Sequence, residues 1–202
     1  MEKRHRVFVA INLPEEIKKE LFLYSEKFSE LPAKWIDKDN LHITLEFLGA
    51  LTDEEIGEVC IAVKGVAERH SCFSLNISSI CYGPHKKNTA PLSGAIGTLS
   101  VPPKMIWAEG EKSKELAGLR EDLEKSLTEK IRFVPENRIF APHITLARIS
   151  AWGWKGIEPE ERPEINEKID LPFTVESIEV MESVLKRGGP VYTILESHSL
   201  GE

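Results

Sequence analysis

The tetrapeptide His-Ile-Thr-Leu occurs twice, at residues 42–45 and again at residues 143–146, a separation of 101 residues. What surrounds each copy repeats in the same order. An apolar, partly β-branched run at residues 7–11, then a helical pattern, leads to the first copy; a short apolar run at 105–108, then a helical pattern, leads to the second. This order predicts one strand–helix–strand unit used twice, head to tail, within a single domain over residues 1–202 with two pseudo-symmetric lobes. Two copies are too few for a solenoid. The expected class is α+β.

Local signals fill in the unit. Pro14, Glu15 and Glu16 suit the first turn of a helix whose inner face is Ile17, Leu21, Tyr24, Phe28 and Leu31. Thr52 and Glu55 form a capping box ahead of a helix with Ile56, Val59, Cys60, Val63 and Val66 inward. A third helix carries Leu116, Leu119, Leu123 and Leu127 on one stripe. Strands are expected at residues 41–49, 72–82, 92–99, 104–108 and 141–149. Two more, at 173–184 and 191–197, form an antiparallel hairpin about the turn at 185–190, which contains Gly188 and Gly189. Residues 150–163 read as a loop.

Side chains alternate faces along a strand. In each copy Ile and Leu therefore face the core: Ile43 and Leu45, Ile144 and Leu146. His42 and Thr44 share the other face, as do His143 and Thr145. If the duplicated strands are neighbours about a pseudo-twofold axis, two imidazoles and two hydroxyls converge on one groove. Those groups suit a phosphodiester. One neutral imidazole takes a proton from the attacking oxygen and one imidazolium gives a proton to the leaving oxygen. Threonine hydroxyls donate to the non-bridging oxygens, where charge is held. Preserving a duplicated core would keep the apolar positions; it would not require histidine and threonine on the other face of both copies.

Composition limits the alternatives. Apolar residues make up 41% and charged residues 29%, with a formal charge of −7. An acidic chain is repelled by polyanions at long range, so an RNA would be held locally, at an end. No apolar run reaches the roughly 20 residues of a membrane helix. No secretory cleavage pattern follows the first apolar run, so the expected location is cytoplasmic. Cys60, Cys72 and Cys81 form no CxxC pair and read as packing residues. No metal is expected, since no third ligand accompanies His42 and His143. The sequence also lacks a Lys-x-Asp-Gly motif and a GxxxxGK[ST] loop, so nothing supports a nucleotide-activated ligase.

The paired His-x-Thr motifs resemble the 2H phosphoesterase superfamily, and within it the RNA 2′,3′-cyclic phosphodiesterases, or LigT-like 2′-5′ RNA ligase family. The resemblance extends to residues 6–11, Trp35, residues 41–49, 106–108, 141–148 and 183–192. It implies two antiparallel sheets forming a V-shaped central groove, with helices packed outside. It implies metal-independent opening of RNA 2′,3′-cyclic phosphate ends to 2′-phosphomonoesters. A small cyclic nucleotide is an alternative substrate, no cofactor is expected, and the expected state is a monomer. His143 would activate water and His42 would protonate O3′; Thr44, Thr145 and Arg148 would bind phosphate. Because acid and base swap roles in reverse, RNA end-joining, of tRNA halves for example, is an alternative at the same site. A non-catalytic nucleotide-binding module is another.

Several residues carry secondary expectations. Strict alternation puts Arg148 on the face opposite His143, so it needs a bulge, a strand end or a long reach to bind phosphate. Lys186 and Arg187, in the final turn, are candidate substrate contacts, and His85, Lys86 and Lys87 form a basic cluster that could steer RNA. Trp152 is a candidate for stacking a base. Trp107, in a buried-looking strand, is assigned to packing. His5, His70 and His198 are assigned to the surface.

Overall fold

The computed structural model describes residues 3–84, 102–135, 140–187 and 189–201. The expected strand at 92–99 and the cluster His85, Lys86 and Lys87 lie outside the described residues. The chain runs β1 (His5–Asn12), α1 (Glu15–Lys27), β2 (Ala33–Trp35), β3 (His42–Leu51), α2 (Asp53–Ala67), β4 (Phe73–Gly83), β5 (Met105–Gly110), α3 (Lys114–Lys130), β6 (His143–Ile149), α4 (Ala151–Lys155), β7 (Asn166–Val175), β8 (Ser177–Lys186) and β9 (Gly189–Ser199).

The strands form one nine-stranded sheet in the order β7-β4-β5-β6-β3-β1-β8-β9, with β2 added against β6. The pairings within it are antiparallel. Among the described residues its two halves pair at one register position, Ile43 opposite Ile144. These are the same position of the two motif copies, so a pseudo-twofold axis passes between them. The two sheets implied by the resemblance are the two halves, and they join at this centre. Strands are also exchanged: β4 follows the first unit in sequence but pairs with β5 of the second, while β8 returns to pair with β1.

One face of the sheet is the core. Ile43, Leu45, Ile144 and Leu146 are buried there with the helices. The α3 stripe is fully inward, Leu116, Leu119, Leu123 and Leu127 each being 1% exposed or less. At ~1.5–3 kcal/mol per buried leucine, this stripe anchors the helix. The α2 capping box forms as expected, with the Glu55 amide donating to Thr52 Oγ1 at 3.2 Å and the Thr52 amide donating to Glu55 Oε2 at 2.8 Å. Helix α1 ends at Lys27, so Leu31 reaches the core from the segment beyond it. An ion pair from Arg69, just past the end of α2, to Asp122 at 2.9 Å ties that end to α3.

Three local expectations change. The run at 173–184 is two strands: Glu176 lies between β7, which pairs with β4, and β8, which pairs with β1 and β9. The segment at 150–163 contains α4, capped by Ser150, with Trp154 buried within it. The three outlying histidines are tied down. His5 meets Glu182 at 2.6 Å, His70 meets Asp122 at 3.1 Å, and His198 is buried. The hairpin of β8 and β9 forms, and Gly189 closes it at φ +132, a conformation that L side chains rarely adopt.

Candidate active site

The face of the sheet opposite the core carries both His-x-Thr motifs. Either side of the Ile43–Ile144 bridge, His42 with Thr44 and His143 with Thr145 are partly exposed, while the intervening Ile and Leu are buried. The alternation read from the motif therefore holds through the first four residues of both copies.

Beyond them it breaks, in the same way twice. In β3, Ala10 pairs with Thr44 and Val9 with Glu46, so Leu45 has no opposite number. In β6, Trp107 pairs with Thr145 and Ile106 with Ala147, so Leu146 has none. Each is a β-bulge, and each places two successive residues on the core side: Leu45 and Glu46, Leu146 and Ala147. The following residues return to the His-x-Thr face. Arg148 is exposed there, paired with Met105, which alternates with Trp107. Strict alternation put Arg148 on the wrong face; the bulge corrects it. The matching residue of the first copy is Phe47. The first bulge is also secured by charge. Glu46 is buried and pairs with Arg120 of α3 at 2.5 Å, and Arg120 Nε donates to the Leu45 carbonyl at 3.3 Å.

Both imidazoles are held alike. His42 Nδ1 donates to the Asn40 carbonyl at 2.7 Å, and His143 Nδ1 donates to the Ala141 carbonyl at 2.9 Å. A carbonyl only accepts, so each Nδ1 carries a proton and each Nε2 is left for chemistry. The Thr44 hydroxyl donates to His42 Nε2 at 3.0 Å. Burial pushes the His42 pKa below the ordinary imidazole value; the hydrogen bond to Asn40 pulls it up, and the charges of Lys18 and His143 push it further down. His42 thus senses the charge of His143 across the bridge.

The walls differ. Against His42 lie Phe8, its ring centroid 5.0 Å away, and Tyr192, edge-on at 5.0 Å. Against His143 lies Trp107, stacked at 3.9 Å and 26°. Trp107, assigned to packing from its apolar neighbours, is therefore part of the site. A basic rim stands at one end. Lys34 of β2 pairs opposite Arg148, and its Nζ lies 3.1 Å from where a Cβ on Gly189 would sit. This brings the β8–β9 turn, with Lys186 and Arg187 just before it, to the Arg148 side. Lys34 escaped sequence reasoning because a three-residue strand has too little periodicity to place it.

Trp152 is not brought to the pair. It is 88% exposed on α4, in a hollow shared with Glu30, Pro32 and Lys155 and with no residue of either motif. Among the described residues no three His, Cys, Asp or Glu side chains gather as a metal site, and no helix is long and apolar enough to cross a membrane.

An antiparallel α+β sheet with a His-x-Thr strand on each side of a pseudo-twofold axis defines a 2H phosphoesterase fold. The chain belongs to the LigT-like phosphoesterase family: the model described as "LigT like Phosphoesterase" matches residues 11–92 and 106–192. It is 32% identical over 201 residues to a Thermus thermophilus protein named RNA 2′,3′-cyclic phosphodiesterase, covering 96% of this chain and 90% of that one. A Thermotoga maritima protein of the same name is 28% identical over 199 residues, covering 94% and 92%. Among solved structures, one from Thermus thermophilus superposes with a TM-score of 0.79 at 28% identity, covering 98% of this chain and 99% of that one. Escherichia coli LigT complexed with 3′-AMP shares the fold, with a TM-score of 0.74 at 22% identity, covering 99% and 100%.

Proposed function

We propose that this protein opens RNA 2′,3′-cyclic phosphate ends to 2′-phosphomonoesters by two-histidine acid–base catalysis, without a metal or cofactor. The observation that carries the reading is the Ile43–Ile144 bridge, which sets His42 and His143 on one face at equivalent positions. The curated relatives named RNA 2′,3′-cyclic phosphodiesterase support the substrate, and the LigT complex with 3′-AMP shows that a protein of this fold takes up a nucleotide.

In this reading the phosphate lies between the two Nε2 atoms. His143 takes a proton from water as the oxygen attacks phosphorus. His42 gives a proton to O3′ as the P–O3′ bond breaks, leaving the phosphate on O2′. Thr44 and Thr145 donate to the non-bridging oxygens, and Arg148 supplies a planar cation for the same charge. The depressed pKa of His42 sets a condition: the negative charge of the bound phosphate must raise it before it donates. The rim of Lys34, Arg148, Lys186 and Arg187 attracts an anionic end locally in a chain of net charge −7. We further propose that the chain acts as a single two-lobed domain, as a monomer, in the cytoplasm. The test is an RNA bearing a 2′,3′-cyclic phosphate end, incubated in chelator. A 2′-phosphate product is expected; a 3′-phosphate product, or loss of activity in chelator, contradicts the reading.

A further inference from the structure

The two lobes fill equivalent wall positions with different side chains. Ala10 and Trp107 each pair with the motif threonine; Phe8 and Met105 each pair with the residue after the bulge. On the next strand Met181 pairs with Phe8, and Gly83 pairs with Met105. In the first lobe the bulk sits at Phe8 and Met181, which pack together with Ala10. In the second lobe it has moved two residues along, to Trp107, nearer the histidine.

Gly83 makes that move possible. A Cβ added there would lie 2.1 Å from Cδ2 of the Trp107 indole and 2.5 Å from both Cε2 and Cε3. No real Cβ tolerates such contacts, so the indole lies on bare backbone. It is in this position that the indole stacks on His143, with ring centroids 3.9 Å apart and planes 26° from parallel. The Nδ1 bond to Ala141 fixes one edge of the imidazole but leaves the ring able to tilt about it. A flat partner at van der Waals distance removes that tilt and sets the direction in which Nε2 points.

We propose that Trp107, seated on Gly83, is the positioning residue for His143 in the hydrolysis. It exchanges no proton itself; it holds the plane of the imidazole that does. The role rests on the proposed function, since it has meaning only if His143 acts on substrate. His42 is confined differently, with the Phe8 and Tyr192 rings against it.

The test uses the full chain and an RNA dinucleotide with a 2′,3′-cyclic phosphate, with kcat and KM measured separately. Trp107→Leu is expected to lower kcat by ~10- to 100-fold, the scale of a misplaced catalytic group, with little change in KM. Trp107→Phe, which keeps a flat ring, restores most of it. Gly83→Ala displaces the indole without removing it and is expected to reproduce the loss. An NMR readout stands apart from activity: the His143 ring-proton resonance, displaced by the indole's ring current, should move toward its ordinary position in Trp107→Leu and in Gly83→Ala. Unchanged kcat in both variants, or a His143 resonance indifferent to them, overturns the proposal. Wild-type protein that leaves the cyclic phosphate intact overturns the functional reading and this role with it, while the ring-current shift still reports whether the stack exists.

Discussion

The two copies of the motif share a backbone and differ in their surroundings. Each has the same bridge position, the same bulge after the threonine, and the same Nδ1 bond to the carbonyl two residues earlier. Yet the residue after the bulge is Phe47 in one and Arg148 in the other. His42 sits among Phe8 and Tyr192 with its pKa lowered, whereas His143 lies flat on Trp107. Duplication explains the shared part: it delivers two imidazoles to one face. In the proposed mechanism the differences would separate the roles, since an acid and a base acting on one phosphate cannot profit from identical environments.

The bulges offer the hardest way to break the comparison. Among the described residues only the first is pinned by a buried ion pair, and Arg120→Ala should take the guanidinium away from the buried Glu46 carboxylate. A loss of ~3–5 kcal/mol in unfolding free energy is expected by chemical denaturation; a loss no larger than that of a surface substitution would mean the bulge holds itself. Activity sharpens the comparison next. Under the proposed mechanism Thr44→Val and Thr145→Val each remove a donor to the phosphate and should lower kcat/KM by ~10-fold or more. Thr44→Val should also disturb His42, since that hydroxyl reaches Nε2. Equal activity in both variants and wild type would remove the threonines from the mechanism. The smallest effect is electrostatic. In His143→Ala the His42 resonance should titrate at higher pH than in wild type, because one of the charges depressing it is gone. Adding inorganic phosphate to wild type should move it the same way. No movement in either case would place the two rings out of each other's reach.

Much of this was legible in the sequence because the relevant patterns are long. The four leucines of α3, the Thr52–Glu55 box and the repeated tetrapeptide each span enough residues for periodicity or capping chemistry to show. What failed to show was short or discontinuous. Strand β2 has three residues, too few to alternate. Apolar alternation changes phase at Glu176 and Ser177, from Phe173 and Val175 to Ile178 and Val180, but a one-residue phase change reads equally as a bulge within one strand, so it does not by itself mark where the chain leaves the β4 edge for β8. A bulge adds one residue to one strand without changing composition, and the face of Arg148 depends on it. Trp107 looked like core because Met105, Ile106 and Ala108 surround it, and only the pairing with Thr145 and the bareness of Gly83 reveal the face it serves.

The proposed mechanism has both imidazoles act on one phosphorus atom, and a double-mutant cycle on cyclic-phosphate RNA tests this most directly. His42→Ala and His143→Ala, each confirmed as folded, should each lower turnover by ~10²–10⁴-fold. The double variant should be scarcely worse than either alone, because each single change already disables the same step. Losses that multiply in the double variant, or one histidine whose removal leaves turnover intact, would contradict it.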